Sequence, residues 1–410
     1  MPEFFNVLAP HAAFEALKPM LPGNVGADVI PTRKAPGRVT AADIHSPEDL
    51  PAFARSTMDG YSVRSRDTYG ASEGLPAYFE LAGEVPMGEA ADVRLGVGQA
   101  ATAYTGGMLA QGADAVVMVE RTQTLDDTAI EVLRAVAPGE NVVQVGEDVR
   151  EGDVILPKGS IIRPQDIGGM LALGIASISV SRKPRVGIIS TGDELVPPEE
   201  NVNQGQIRDI NTYTIAALVE QAGGVPLPVA LVVDDFAAQR NAALDGIEKC
   251  DALVFSAGSS VSSRDLTAEV INSLGEPGVI VHGMSIKPGK PTVIGVIHGK
   301  PVFGLPGNPV SAMVVFDLLV RPAIYHLSGC EQIPETPTTQ ATLVRDIPSV
   351  AGREDYVPVC LERSGECVNA IPVFGKSNLI YTLVRSDGIV KVPLDKSGLY
   401  AGEIVDVRLY

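Results

Sequence analysis

Acidic residues follow three successive apolar runs in the middle of the chain. Each run is followed by at least one carboxylate: Asp193 and Glu194 after Arg185–Thr191, Asp234 and Asp235 after Pro228–Val233, and Asp265 after Ala252–Phe255. If these runs are parallel strands, their carboxyl ends meet at one rim, where ligands bind in such sheets. Carboxylate oxygens gathered there suit Mg²⁺, which takes one or two carboxylates together with substrate phosphates. A single acid after a strand is often only a helix N-cap, but three strand ends together favour a site.

A segment of small polar residues follows the third run. Residues Ser256–Ser263 read SAGSSVSS, and such small side chains allow backbone N–H groups to approach a phosphate and form an anion-binding concavity. A helix is predicted to begin near Asp265, and its N-terminal N–H groups would add to this concavity. Ser256 and Gly258 are therefore candidate binding residues, although segments of this composition are more often plain loops.

Two further segments each break a β-region abruptly. The first is IKPGKPT at Ile286–Thr292, in which Lys287 and Lys290 stand on either side of a Pro-Gly turn. This arrangement places positive charge on a rigid loop. Lysines beside a turn are ordinary on protein surfaces, so the segment alone does not establish a site.

The second segment is GLPGNPVSA at Gly304–Ala312, which has the pattern of a helix start. Asn308 is predicted to be the N-cap and Pro309 the first helical residue of an apolar helix that runs to about Leu327. Ser311 would then point toward a ligand near the positive end of that helix. A helix start without any ligand explains the same residues.

The composition limits what the protein binds. The formal net charge of -18 over 410 residues, with no basic run, argues against a nucleic-acid binder, because phosphate neutralisation needs a Lys/Arg-rich face. An anionic ligand must therefore be held locally, by backbone amides, a few cations and a divalent ion. The four cysteines and five histidines show no metal-ligand spacing, and no G-x-S-x-G elbow or Walker loop is present.

The sequence contains no signal for secretion or for membrane insertion. The N-terminus has apolar residues at near-helical spacing but no basic region and no cleavage site, and no later apolar run is expected to reach membrane-spanning length. We therefore expect a cytoplasmic protein without a membrane partner.

Helical and strand patterns alternate around the candidate residues. Helical spacing at Asn211–Ala222 and Phe236–Lys249 separates the three apolar runs, which is the βαβαβ order of a parallel sheet with helices on both faces. Residues 183–328 are therefore predicted to form a doubly wound α/β domain.

The regions on both sides of this domain are richer in short β-segments. They fill residues 51–140, and short strands return in residues 329–410, where they indicate a small barrel or sandwich. Residues 1–50 and 141–182 form a remaining N-terminal domain. The predicted fold class is multidomain α/β plus β, with a central doubly wound α/β domain flanked by β-rich N-terminal domains and a C-terminal small β-barrel.

Six motifs occur in one order along the chain: STGDEL, GQIRDINTY, a DD pair, SAGSSVSSRDLT, IKPGKP and GLPGNPVSA. In this order they resemble the motifs of the MoeA and gephyrin E-domain family. The resemblance covers nearly the whole chain, because RSTMDGYSV, YTGGMLAQGADAVVMVE and GEDVREGD are similar to the family's N-terminal motifs. A set of six ordered motifs is far more specific than any one of them.

The resemblance implies a reaction and its partners. Members of the family transfer molybdate to adenylylated molybdopterin with the help of a divalent cation, and release AMP and the molybdenum cofactor. We therefore expect a molybdopterin molybdenumtransferase that uses Mg²⁺. The family's elongated homodimers build part of each site from the second subunit, so we expect a homodimer in which residues 1–50 and 141–182 serve as the linker and dimerisation domain. The sequence leaves molybdate and tungstate open, since both are tetrahedral dianions of nearly equal size.

The resemblance also assigns roles to single residues. By similarity, Glu194, Asp234 and Asp265 are functional carboxylates, with Glu194 and Asp265 as the expected Mg²⁺ ligands. The positions that surround the oxyanion in the family are, in this sequence, Lys287, Lys290, Ser311, Arg353 and Ser377. Further family positions on the N-terminal domains are Asp59, Thr105 and Asp148.

Two segments depart from the family pattern. Many members have S-G-G-V-S-x-G before the acidic residue, whereas this chain has SAGSSVSS, in which Ala257 and Ser259 allow fewer backbone angles than glycine. The usual basic residue shortly before IKPGKP is replaced by His282, Gly283 and Met284. We expect altered nucleotide geometry or metal preference from the first departure, and a lost or titratable anion contact from the second.

Two other functions remain open on the sequence alone. A molybdopterin adenylyltransferase resembles only the α/β domain, so a length of 410 residues and the N-terminal motifs favour the insertase. A gephyrin-like dimeric scaffold would be a binding protein without catalysis, and the retained acids and lysines argue against that role.

Overall fold

The computed structural model describes residues 7–257, 261–365 and 367–410, with the backbone alone at 257 and 261–265. Two compact units are distinguished. One comprises Met1–Ala42, Lys158–Arg163 and Ser177–Tyr410, and the other comprises Asp43–Pro157 and Pro164–Ala176.

The helices in the α/β region follow the predicted pattern with one exception. The described α-helices are α1 (Pro10–Leu17), α2 (Pro164–Ala172), α3 (Asn211–Gln221), α4 (Phe236–Lys249), α5 (Val261–Ser273), α6 (Pro309–Val315), α7 (Arg321–Leu327) and α8 (Tyr381–Val384). The prediction that a helix begins near Asp265 is wrong, because α5 already begins at Val261. Neither glycine nor proline occurs between Val261 and Asp265, so the backbone has no local reason to delay the helix.

The N-terminal half contains twelve short strands among its described residues. They are β1 (Ala27–Pro31), β2 (Ile44–His45), β3 (Arg55–Ser56), β4 (Gly60–Val63), β5 (Ala77–Glu84), β6 (Gln99–Ala103), β7 (Ala115–Met118), β8 (Thr122–Asp126), β9 (Ala129–Val132), β10 (Val142–Val143), β11 (Val154–Leu156) and β12 (Ser177–Ser181). Six of them form one sheet in the order β7-β4-β6-β5-β9-β8. Strand β4 pairs antiparallel with both β6 and β7, and its register sets Gly60 opposite Ala103. The residues just before β4 and just after β6 therefore lie side by side.

The central domain is built on a six-stranded sheet. The described strands of this domain are β13 (Arg185–Thr191), β14 (Leu195–Val196), β15 (Ile207–Arg208), β16 (Val225–Val232), β17 (Ala252–Ala257), β18 (Pro277–His282), β19 (Ile286–Lys287), β20 (Val293–Ile297) and β21 (Lys300–Pro306), of which β14, β15 and β19 are short strands outside the sheet. The sheet order is β16-β13-β17-β21-β20-β18. The first four strands are parallel, which includes the three runs predicted to be so (β13, β16 and β17), but β20 pairs antiparallel with both β21 and β18. The sheet is therefore mixed, since the short turn between β20 and β21 permits only an antiparallel pair.

Apolar side chains fill both faces of this sheet. Ile188 of β13 belongs to the cluster formed with α1, α3, α6 and α7, whereas the next residue, Ile189, belongs to the cluster formed with α4 and α5. Side chains of a strand alternate between faces, so a continuous apolar run is what a sheet covered on both faces requires. Burial of each such side chain contributes about 1.5–3 kcal/mol. The predicted doubly wound α/β domain is confirmed.

The C-terminal region is a closed barrel rather than a sandwich. Its strands are β22 (Thr338–Leu343), β23 (Ile347–Pro348), β24 (Glu354–Ser364), β25 (Cys367–Pro372), β26 (Gly388–Val392), β27 (Gly398–Leu399) and β28 (Ile404–Leu409). The ring runs β24-β25-β22-β28-β26 and closes through the pairing of β26 with β24. Closure removes the exposed strand edges that an open sheet of this size would leave. The short strand β19 of the α/β domain pairs parallel with β24 at the edge of this barrel.

One apolar helical segment has the length and composition of a membrane span. It is Pro309–Leu327, with a mean hydropathy of 1.5, and 61% of its apolar window is buried inside the structure. The expectation that no apolar run reaches spanning length is therefore wrong on length alone, because α6 and α7 are joined without a break by a π-helical turn at Phe316–Val320. Its side chains belong to the core of the α/β domain.

Candidate functional site

The predicted acidic rim forms where the sheet order places it. Strands β16 and β13 are neighbours, so their C-terminal ends bring Asp234 beside Asp193 and Glu194. The backbone N–H of Asp234 donates to Asp193 Oδ1 at 3.2 Å. A side chain added at Gly192 would meet Glu194 Oε2 at 2.8 Å, so the Glu194 carboxylate lies back over the strand end.

The electrostatics of this rim reflect its like charges. Partial desolvation, and then the neighbouring Asp193 carboxylate, raise the pKa of Asp234 above its ordinary value. A proton or a divalent cation would relieve this repulsion. The hard oxygen donors present at the rim are the type that Mg²⁺ prefers, so the donor set fits that ion.

Two other acids near the rim serve the local structure. Asp235 is the N-cap of α4, where its Oδ1 accepts the backbone N–H of Ala238 at 2.9 Å. The Asp209 carboxylate binds the first turn of α3 by accepting the N–H of Thr212 at 3.1 Å and its hydroxyl at 2.5 Å. Asp235 therefore has the N-cap role that any single acid after a strand can have, and Asp234 does not.

A buried asparagine connects two of the predicted segments. Asn211 is 7% exposed, and its Nδ2 donates to Ser256 Oγ at 2.8 Å and to the Gly307 carbonyl at 2.8 Å. Ser256 begins the SAGSSVSS segment and Gly307 belongs to GLPGNPVSA. Among the described side chains, Asn211 Oδ1 is one of the few buried polar atoms without a hydrogen-bond partner. The two segments thus share one anchor on α3.

A cavity of about 900 Å³ lies between the α/β domain and the barrel, within the first unit. It collects all five residues that resemblance assigned to the oxyanion: Lys287, Lys290, Ser311, Arg353 and Ser377. The cavity is lined by four cationic side chains, with Lys376 as the fourth, and by one carboxylate, that of Asp355. In a chain with a net charge of -18, this is a local positive site.

The lysine loop is held in shape by a tight turn. Gly289 has a φ of +113°, and a side chain there would meet Val315 Cγ2 at 2.6 Å and Ile286 Cδ1 at 2.7 Å, so only glycine fits. Thr292 Oγ1 donates to the Gly289 carbonyl at 2.7 Å. Lys287 is also fixed through its backbone, which pairs with β24 opposite Asp355.

The start of α6 is joined to the barrel. Asn308 and Pro309 occupy the predicted N-cap and first helical positions, but the Asn308 side chain does not cap the helix. Its Nδ2 donates instead to Ser377 Oγ at 3.0 Å, and the backbone N–H of Val310 donates to the Ser377 carbonyl at 3.2 Å. Because Ser377 Oγ accepts a hydrogen bond from Asn308, its own hydroxyl hydrogen remains available to an anion. Ser311, 3% exposed, lines the same cavity one turn into the segment.

The predicted residues of the second unit form a separate group. Asp59 Oδ1 accepts the backbone N–H of Thr105 at 2.8 Å and its hydroxyl at 2.9 Å. These two bonds, the backbone one first, lower the pKa of Asp59 below its ordinary value. Asp148 is exposed on a loop, and its own backbone N–H donates to the Leu50 carbonyl at 3.0 Å. Asp59 and Thr105 are therefore brought together, and both side chains remain accessible.

Two predicted residues lie outside what the structure describes. Gly258 is not among the described residues, and at Asp265 only the backbone is described, inside α5. Within the side chains that the structure describes, no three acidic, His or Cys groups are placed to hold a metal ion. The rim as described brings Asp193, Glu194 and Asp234 together, and a role of these acids in holding a cation, like the position of the Asp265 carboxylate, stays a prediction.

Three residues of the site were not singled out from the sequence. Lys376 lines the cavity, is exposed, and has no carboxylate partner among the described ion pairs. It directly precedes Ser377 in FGKSN, and this position beside a predicted site residue was the signal by which the sequence could have identified it. Asn211 lies in GQIRDINTY, but its partners Ser256 and Gly307 are distant in sequence. Asp355 lies in AGRED, and its bond to Arg353 depends on local backbone geometry that the sequence does not show.

Family models match most of the chain in three consecutive stretches. The MoeA N-terminal region (domain I and II) matches residues 9–174, a probable molybdopterin binding domain matches residues 187–326, and the MoeA C-terminal region (domain IV) matches residues 340–410. The chain belongs to the MoeA family. The stretches on both sides of the α/β domain decide this, because they match regions of MoeA outside the molybdopterin binding domain.

Individual relatives in the MoeA family match the chain end to end. A putative molybdopterin biosynthesis protein of Methanocaldococcus jannaschii is 38% identical over 406 residues, which is 97% of this chain and 95% of the relative. A molybdopterin molybdenumtransferase of Haemophilus influenzae is 32% identical over 390 residues, or 95% of each chain. The crystal structure of a molybdopterin biosynthesis MoeA protein from Pyrococcus horikoshii OT3 superimposes with a TM-score of 0.85 at 32% identity, covering 99% of this chain and 100% of the other.

Proposed function

We propose that this protein is a molybdenum insertase, which transfers molybdate to adenylylated molybdopterin, releases AMP and yields the molybdenum cofactor. Membership of the MoeA family and relatives named molybdopterin molybdenumtransferase support a transferase of molybdenum cofactor biosynthesis. The observation that carries the proposal is the cationic cavity in an otherwise acidic protein. We place the reaction in the cytoplasm.

The cavity has the donors that a tetrahedral dianion needs. Lys287, Lys290 and Arg353 supply charge-assisted hydrogen bonds, and Ser311 and Ser377 supply hydroxyl groups. The loops that hold these side chains are fixed by the Gly289 turn and by backbone bonds, so little ordering is needed when the anion binds. The cavity volume of about 900 Å³ exceeds that of an oxyanion, which leaves room for part of the molybdopterin substrate beside it.

The acidic rim is the proposed Mg²⁺ site. Glu194 and Asp265 would hold the ion, with Asp234 beside them. When bound, Mg²⁺ would offset the charge of the phosphoanhydride that breaks as AMP leaves. Asn211 keeps the Ser256 segment of this rim and the Gly307 turn of the cavity at a fixed separation, so both ends of one extended substrate can be held together.

We also propose that the active assembly is a homodimer. Asp59, Thr105 and Asp148 are exposed residues of the second unit, and they would complete the site as contributions from the partner subunit. Mixing two inactive variants, Asp59→Ala and Asp265→Ala, tests this. Each mixed dimer keeps one intact composite site, so partial recovery of activity is expected, whereas no recovery contradicts a shared site.

The reaction is tested by measuring AMP. Purified protein with Mg²⁺, molybdate and adenylylated molybdopterin should release AMP, and Asp265→Ala should suppress release without changing the size of the assembly. Glu269→Ala, a change of the same type later in α5, is the matched control. Unchanged AMP release in Asp265→Ala would remove that residue from the site.

Two further measurements refine the proposal. Addition of Mg²⁺ should lower the raised pKa of Asp234, followed by NMR of its carboxyl carbon, because a bound cation favours the ionised form. Competition of tungstate with molybdate in the AMP assay identifies the preferred oxyanion. The adenylyltransferase and scaffold alternatives are not favoured, since the family match extends across the flanking domains and the cavity retains its cations.

A further inference from the structure

One carboxylate stands among the cations of the cavity, and it is bound to only one of them. Arg353 directly precedes β24, Asp355 is the second residue of that strand, and both line the cavity. Arg353 Nε lies 2.8 Å from Asp355 Oδ1, and Arg353 Nη2 lies 3.2 Å from Asp355 Oδ2. Both oxygens of the carboxylate are thus used by a single guanidinium group.

We propose that Asp355 is a positioning residue that makes the cavity selective for the size of its oxyanion, by fixing the Arg353 guanidinium at one place in the cavity wall. This inference rests on the proposed function of the cavity as an oxyanion site. Asp355 acts through Arg353 and has no direct contact with the anion.

The burial of the pair supports this role. The Asp355 side chain is 4% exposed, whereas that of Arg353 is 34% exposed. The carboxylate is therefore the fixed partner, and the guanidinium is the group that reaches solvent in the cavity. A two-point bond of this kind sets the plane as well as the position of the guanidinium, and it leaves Nη1 and the outer hydrogen of Nη2 for a ligand.

The other cations of the cavity have no such support. Lys287, Lys290 and Lys376 are without a carboxylate partner among the described ion pairs, and each carries its charge on a flexible four-carbon stem. A lysine can follow the surface of an anion of any size. Size selection needs a second fixed contact, which the hydroxyls of Ser311, 3% exposed, and of Ser377, hydrogen-bonded to Asn308, provide. Between these hydroxyls and a guanidinium that cannot move, we infer that molybdate fits and that the smaller sulfate does not reach both sides.

The negative charge of Asp355 weakens the affinity of the cavity for anions, whereas its hold on the Arg353 guanidinium strengthens the affinity for one of them. Because these two effects are opposite, an experiment can separate them. Removal of the Asp355 charge strengthens the attraction of the cavity for every dianion to a similar extent. Release of the guanidinium affects only the anion whose size matched its fixed position. Loss of Asp355 should therefore change the ratio of two affinities more than it changes their common level.

The experiment measures the affinity of the full-length protein for molybdate and for sulfate by calorimetry. Asp355→Asn should bind sulfate as tightly as the unchanged protein or more tightly, and its molybdate-to-sulfate affinity ratio should fall by about tenfold, the effect of freeing one immobilised side chain. Arg353→Lys keeps the charge but cannot make the two-point bond, and should lower the same ratio. Glu362→Gln removes one exposed negative charge from the same strand and should leave the ratio unchanged.

The outcomes distinguish this inference from the proposed function. An unchanged ratio in Asp355→Asn, or an equal fall in Glu362→Gln, overturns the role of Asp355 even when the unchanged protein releases AMP. A lowered ratio in both Asp355→Asn and Arg353→Lys supports that role. If the ratio falls as expected but the unchanged protein releases no AMP, the selective oxyanion cavity stands and the insertase is overturned.

Discussion

The hydrogen bonds of Asn211 give the most direct test of how the rim and the cavity are held together. Asn211→Ala removes two donors, which leaves Ser256 Oγ and the Gly307 carbonyl without this partner. Asn211→Asp keeps the shape of the side chain but turns a buried negative charge toward the Gly307 carbonyl, which can only accept, and leaves the Ser256 hydroxyl as its one possible donor among these two partners. We therefore expect the aspartate variant to be less stable than the alanine variant.

The size of the effect follows from burial. Ser256 is 3% exposed, so loss of its donor costs about 2 kcal/mol, and loss of the bond to the half-buried Gly307 carbonyl costs about 1 kcal/mol. Removal of Asn211 also removes its buried Oδ1, which has no partner among the described residues, and alanine is a better helix former. These two gains return about 1 kcal/mol, so the free energy of unfolding should fall by about 2 kcal/mol.

The assay is urea unfolding followed by far-UV circular dichroism, since the chain has no tryptophan for fluorescence. The matched control is Asn241→Ala, with Asn241→Asp beside it, at an exposed position on α4 of the same domain. AMP release by Asn211→Ala should fall as well, because the two segments lose their shared anchor. The reasoning is refuted if Asn211→Ala differs from Asn241→Ala by less than about 0.5 kcal/mol, the usual range of surface changes.

Three further predictions follow from other contacts. Thr105→Val removes one of the two bonds that lower the pKa of Asp59, so that pKa should rise toward its ordinary value in an NMR titration, while Thr128→Val should move only Asp126. A carboxylate whose pKa is lowered on folding stabilises the folded protein at pH values above its ordinary pKa, and this stabilisation is lost as the pH falls through the lowered pKa. Thr105→Val should therefore reduce stability at neutral pH and leave it unchanged in strong acid. Asp317→Asn removes the ion-pair partner of Arg321 and of the largely buried Arg408, and should lower the free energy of unfolding by about 1–3 kcal/mol. The control is Asp245→Asn, which breaks an exposed ion pair with Lys249 and should cost about 0.5 kcal/mol or less. Equal costs of the two variants in unfolding experiments contradict this account. Lys290→Gln should weaken molybdate binding about tenfold and make it less sensitive to salt, and Lys183→Gln, at an exposed lysine, should change neither; a salt dependence that survives Lys290→Gln excludes this lysine from the anion site.

Local pattern was sufficient for several elements of the α/β domain. Helix α4 and strand β13 have the predicted bounds, because each has a strong period and a clear boundary signal in the sequence. The start of α5 was predicted too late, since serine-rich segments fit both a loop and a first helical turn. The antiparallel strands β18 and β20 were not predicted, because an apolar run does not state the direction of its neighbour.

The candidate site shows the same division. Resemblance to the family named the five residues expected to contact an oxyanion, and that role stays a prediction. Residue type and position were enough to name the acids of the rim. They also predicted that carboxylates after neighbouring strands would meet, which Asp193 and Asp234 do. A shared rim follows from strand direction alone, so no side-chain packing was needed to infer it.

Tertiary structure decided which of these residues have a local role and which face the cavity. Asp234 and Asp235 are adjacent and chemically equal in the sequence, but only Asp235 caps a helix. The bond of Asn308 to Ser377 and the tie of Asn211 to Ser256 and Gly307 join segments that are far apart in the chain. Such bonds depend on where two domains or two loops pack against each other, and no periodicity in one segment contains that information. The sequence alone therefore determined the chemistry that is available, and the packing of the barrel on the α/β domain determined which groups line one cavity.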